Sequence, residues 1–148
     1  MKYSVNHICG HTETHTLYGP GKERERKLSW METTDCSECY QAALKIQRDA
    51  ENAKAAEINQ ANALPTLTGS EKQIAWAETI RAEKIAQLDE LICAANTQIA
   101  NGAAKADDPN VINFFAWAET LRNTTASSWW IDNRNISALG IIRNIAKG

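Results

Sequence analysis

The letters "CGH" at Cys9 to His11 and "CSEC" at Cys36 to Cys39 constrain this chain more than any hydrophobic pattern in it. A closed tetrahedral zinc site takes four thiolate or imidazole donors, and these two phrases supply them in pairs. If Cys9, His11, Cys36 and Cys39 share one ion, the twenty-four residues between His11 and Cys36 must loop out and return. The glycine between Cys9 and His11 allows the tight backbone turn that convergence needs. His7 competes with His11 for the fourth place, because alternate residues of a strand point the same way; His11 is preferred. A helix starting at "CSEC" turns both cysteines toward one ion and sets its free amides against their charge. The remaining cysteine, Cys93, sits in a helical pattern and is expected beside a core face as a small apolar residue. Three cysteines clustered with histidines and one apart favour metal ligation in a reducing compartment over two disulfides.

The segments around the donors read as a small β-hairpin followed by helices. "KYSVNHI" and "ETHTLYG" are β-branched and aromatic with rough alternation, with "CGHT" as the turn between them. His15 is expected on the strand surface. "GPG" breaks the chain and "KERERKLSWMETT" has helical composition. From Cys39 to about Ala63 the chain is rich in alanine and charge, a long helix with one narrow apolar stripe. Ser70 and Gln73 have the spacing of a capping box, and the helix they open runs to about Ala100 with a broad apolar face. Asp108 as N-cap and Pro109 at the first helical position open another. "WWIDNRN" and an amphipathic "SALGIIRNIAKG" follow. The expected fold class is mainly α with a small β-hairpin: a zinc-ribbon or treble-clef-like module over residues 1–45, then a helical domain over 46–148.

The phrase "AWAET" occurs twice, at Ala75 to Thr79 and Ala116 to Thr120, with a weaker echo in "LSWMET". On a helix, Trp76 stacks with Ile80 and Trp117 with Leu121, while Glu78 pairs with Arg81 and Glu119 with Arg122. Both tryptophans are expected in a shared core rather than in a ligand groove.

The function classes narrow by exclusion. No phosphate loop, nucleophile elbow or placed histidine base occurs, and the expectation is a protein without catalytic residues. The net charge of −2, with both signs interspersed, gives a thin electrostatic footprint for nucleic acid. The basic residues of "KERERK" alternate with Glu23 and Glu25, as on a solvated helix face. No apolar run is long enough to span a bilayer, so no membrane partner is expected and the chain is expected in the cytoplasm. Trp129, Trp130 and Arg134, set between polar stretches, have the composition of interface anchors and are the candidate partner-binding residues.

Taken together, "CGHT", "LYGPGKERERKLSWME", "CSECY", "LTGSEKQIAWAETIRAEKI" and "WWIDNR" resemble a group of small zinc-binding proteins of bacteriophages and mobile elements in Gram-positive bacteria. The resemblance supports Cys9 and His11 as ligands beside Cys36 and Cys39, and implies an origin rather than an activity. Phage proteins of this size often bind a host protein, which points to an inhibitor of a host defence nuclease such as a CRISPR effector, acting in the bacterial cytoplasm. The alternative is a zinc-ribbon regulator that binds nucleic acid.

Overall fold

The computed structural model describes residues 1–147, and the chain divides into two compact units, Met1–Arg48 and Asp49–Gly148. The fold class is the expected one, mainly helical with a single two-stranded hairpin at the N-terminus.

In the first unit, β1 (Lys2–Asn6) pairs antiparallel with β2 (Thr12–Thr16), with Tyr3 opposite His15 and Val5 opposite Glu13. This register places the odd-numbered residues of both strands on one face, because side chains alternate along a strand. Val5 and Leu17 are buried on that side, whereas the threonines of β2 are exposed. The ends are tied by paired bonds between Met1 and Leu17. Helix α1 (Gly21–Glu32) starts after Pro20, whose fixed φ suits a helix entry, and buries none of its residues. It closes on Thr33 and Thr34, whose amides and hydroxyls return to Trp30 and Met31 carbonyls.

Helix α2 (Ser37–Ala61) is the alanine-rich segment, and Ala55 and Asn59 are its buried residues. The second unit is built on α3 (Glu71–Ala100), opened by the expected capping box between Ser70 and Gln73. Helices α4 (Pro109–Arg122), α5 (Ser127–Asp132) and α6 (Ala138–Ile145) pack with α3 around Leu88, Leu121, Trp130 and Ile141. Asp108 caps α4 as expected, through the Asn110 amide at 2.8 Å. No helix among the described residues is long and apolar enough to cross a membrane.

The repeated phrase has a different physical meaning from the expected one. Ala77 is fully buried and Trp76 is 48% exposed. The inward row of α3 runs through Ala77, Ile80, Arg81, Lys84, Ile85 and Leu88, and Trp76 lies one residue, about 100° of rotation, off its start. In the second copy Ala118 and Leu121 are buried and Trp117 is only partly so. The alanine next to each tryptophan is therefore the residue that faces the core, where a small side chain permits close helix approach. Glu78 does pair with Arg81 at 2.9 Å, and Asn59 donates to the Glu78 carbonyl at 2.9 Å, a polar network within the unit. Glu119 does not pair with Arg122: it accepts from Asn123 at 2.8 Å, and Arg122 reaches Asp89 instead. Cys93, expected beside the core, is exposed on α3, because its position falls outside that inward row.

Candidate metal centre

The two donor pairs meet because the hairpin turn and the start of α2 are tied to each other. The turn closes through His7 N to His11 O and Gly10 N to His7 O, both 2.9 Å, with Gly10 at φ 83°. Glycine enters that left-handed region without the steric penalty a Cβ brings, and the reversal brings Cys9 and His11 round to one side. The Ile8 amide then bonds to Thr34 O at 3.2 Å, which anchors the turn beside the segment leading into α2. Cys36 stands just before α2, its carbonyl accepting the Tyr40 amide at 2.9 Å, and Cys39 follows within the first turn.

The donor atoms of Cys9, His11, Cys36 and Cys39 all lie within 4.8 Å of one another. His11 Nδ1 is 3.2 Å from Cys39 Sγ and 3.6 Å from Cys36 Sγ. A nitrogen and a sulfur bound to one tetrahedral ion at about 2.0 and 2.3 Å stand roughly 3.5 Å apart. The arrangement can hold a metal ion with four protein ligands.

Backbone amides point at the sulfurs as well. The Cys36 amide donates to Cys9 Sγ at 3.3 Å and the Cys39 amide to Cys36 Sγ at 3.4 Å. Such N–H···S bonds favour the thiolate. Cys9 is accordingly lowered to about 6, chiefly by the Cys36 amide and then by that of His11. Cys39 is pushed up to about 12, first by its side-chain contact with Cys36, then by burial and by Cys9. Sulfurs this close disfavour one another's ionisation, as the raised Cys39 shows, and a bound cation would relieve that.

His7 does not join this set. Its Nε2 lies against His15 and Glu13, on the odd-numbered face of the hairpin. His15, expected on the strand surface, is thus one of three members of a second cluster, and Glu13 was not singled out by the sequence at all. The signal that finds them is the odd spacing of His7, Glu13 and His15 across a tight turn, which becomes a cluster once the register is known. Glu13 is held below its ordinary carboxylate value by hydrogen bonds from the Ser37 hydroxyl and amide, with His7 and His15 adding to the effect.

The candidate partner-binding residues are separated by the fold. Trp130 is fully buried, its Nε1 donating to Thr124 O at 3.0 Å, and it is corrected to a core residue. Trp129 is partly buried with its ring edge-on to Trp130 at 5.1 Å. Arg134 stays exposed, with its guanidinium 5.6 Å from the centre of the Trp76 ring. Comparison of the chain with protein-family models, with curated proteins and with solved structures finds no match.

Proposed function

We propose that this chain is a zinc-stabilised protein that binds a host protein and inhibits it without modifying it, with a CRISPR effector nuclease as the partner class. Zinc is the ion that suits three thiolates and one imidazole at tetrahedral spacing. Four protein ligands leave no coordination position for a reacting water, which favours a structural role for that centre. The observation that carries the binding reading is Trp76 with Arg134. A half-exposed tryptophan under an arginine, at the surface of a unit with its own core, has the composition of an interface anchor. The resemblance to phage proteins supports the choice of a host defence nuclease.

Titration of the nuclease with this protein tests the reading. Inhibition should be complete near one equivalent, without turnover. Trp76→Ala and Arg134→Ala should each raise the amount needed while leaving the melting temperature nearly unchanged. Substoichiometric inactivation overturns the non-catalytic part, and full potency of both variants overturns the surface.

One observation favours nucleic acid as a second reading. Arg24, Arg26 and Lys27 line a groove of about 590 Å³ between Tyr18 and Trp30, both exposed. Aromatic faces beside basic side chains suit a single strand. Retention on RNA or DNA at physiological salt, weakened by Trp30→Ala and falling steeply with added salt, would establish that reading over the first.

A further inference from the structure

His7, Glu13 and His15 take no part in the cysteine centre, yet their donor atoms converge. His7 Nε2 is 3.3 Å from His15 Nε2 and 3.4 Å from Glu13 Oε2, and His15 Nε2 is 3.5 Å from the same oxygen. Nitrogen and oxygen ligands at roughly 2.0–2.2 Å from one tetrahedral ion stand about 3.3–3.5 Å apart. The triangle therefore has the edge lengths of three corners of such a tetrahedron.

The bonds behind these atoms orient them. His7 Nδ1 is 3.1 Å from the Thr34 carbonyl, which can only accept, so Nδ1 carries a hydrogen and, in the neutral ring, Nε2 turns its lone pair into the triangle. Glu13 Oε1 accepts from the Ser37 hydroxyl and Oε2 from the Ser37 amide at 3.2 Å. Backing of a ligating imidazole and carboxylate by such partners is the usual support of a metal site. The His7 side chain is 3% exposed, so its lone pair is shut away from water, whereas His15 and Glu13 are 28% and 26% exposed. A hydrogen on His15 Nε2 can satisfy His7 or Glu13 but not both. A cation satisfies all three.

We propose that His7 Nε2, Glu13 Oε2 and His15 Nε2 hold a second divalent cation of the zinc type, distinct from the one in the cysteine centre. Its fourth position opens on a cleft of about 690 Å³ that these three residues line together with Trp30, Met31 and Tyr40. Two neutral imidazoles and one carboxylate leave the bound ion a net positive charge, so the open position takes an oxygen ligand, water or an anionic donor. The site stands independently of the partner reading, because it rests on donor geometry alone.

The test uses the full chain with its cysteine centre already loaded with zinc. Titrated cobalt(II) should bind as one further equivalent, with the visible d–d bands of a tetrahedral nitrogen and oxygen site and no thiolate charge-transfer absorption. His15→Ala and Glu13→Gln should each weaken that equivalent by on the order of a hundredfold or more, while the first metal is retained. A wild type that takes up no second equivalent overturns the proposal, as does a second equivalent that persists in both variants or carries the thiolate band. Should the variants fold poorly, nitrogen NMR of the wild-type imidazoles decides. On addition of a second equivalent of zinc, Nε2 of His7 and His15 should shift together while His11 stays put; unmoved resonances overturn the site.

Discussion

If the cysteine centre holds zinc, a strong chelator should leave the second unit standing and unfold the first. Its buried apolar side chains besides Cys36 are Val5 and Leu17. Burying each contributes roughly 1.5–3 kcal/mol, or about 3–6 kcal/mol for the pair. A two-stranded hairpin is marginal by itself, and α1 buries nothing. Ligation of a structural zinc contributes on the order of 10–16 kcal/mol at neutral pH, more than the apolar contribution and comparable to the whole stability of an ordinary domain. The second unit has a continuous core through Leu88, Leu121, Trp130 and Ile141 and holds no residue of the cysteine centre. The assay is amide hydrogen exchange on the full chain before and after a strong chelator. Amides of Tyr3, Val5 and His15 should lose protection, and those of Ile85, Leu121 and Ile141 should keep it. Hairpin amides that remain protected in the metal-free chain would refute the reasoning, because they would show that the apolar contacts suffice.

Three other outcomes follow from the geometry. Trp130→Ala should cost roughly 3–5 kcal/mol, lowering the melting temperature of a unit this size by at least about 12 °C, while half-exposed Trp76→Ala shifts it far less; equal shifts in thermal unfolding would contradict the core assignment. Zinc uptake at pH 7 should release about three protons, since the thiols of an unfolded module start near their ordinary 9.0. Apparent affinity should then rise with pH, about tenfold per proton per pH unit; a preorganised module, with Cys9 already at about 6, releases fewer, which calorimetry in buffers of different ionisation enthalpy measures. Gly10→Ala meets no atom within 4 Å, so its effect is the backbone penalty at φ 83° alone. That penalty is roughly 1–2 kcal/mol, and it should appear as weaker zinc retention in a chelator competition; unchanged retention would contradict it.

Local chemistry was legible in the sequence, and so was most of the inward row of α3, where the apolar spacing marks Ala77, Ile80, Arg81, Ile85 and Leu88 and all five are buried. Which residues at the edge of that face reach the core was not. The Ser70–Gln73 box, the Asp108–Pro109 start and the alternation of β1 and β2 are short-range signals, and each element begins where they indicate. The cysteine centre was legible because "CGH" and "CSEC" carry their own ligand spacing. Trp76 failed because a helix with apolar residues over a wide arc does not state which edge of the arc meets its neighbours. Trp129 and Trp130 are adjacent and about 100° apart on a helix. Trp130 is fully buried and Trp129 packs half-buried at the edge of the core, and composition offers no way to choose which of the two goes deeper. Arg122 finds Asp89 across 33 residues, a pairing no i, i+3 rule anticipates. His15 and Glu13 needed the register of the hairpin before their shared face with His7 could appear.

The long span of the cysteine centre has a consequence for how the chain is made. Its contacts join residues 25 to 28 apart, as in His11 with Cys36, Cys9 with Cys36 and His11 with Cys39. Closing a loop of that length costs about 3 kcal/mol of chain entropy, against about 1 kcal/mol for the three-residue step from Cys36 to Cys39. Loop entropy thus makes the "CSEC" pair the cheaper place for an ion to land, with the hairpin expected to close onto it afterwards. During synthesis the turn leaves the ribosome first. At about 5–20 residues per second, the 27 residues from Cys9 to Cys36 impose a wait of roughly 1 to 5 s. Through that interval Cys9 lacks the Cys36 amide, the larger of the two that lower its thiol, so the centre should be completed late, after the second donor pair has emerged.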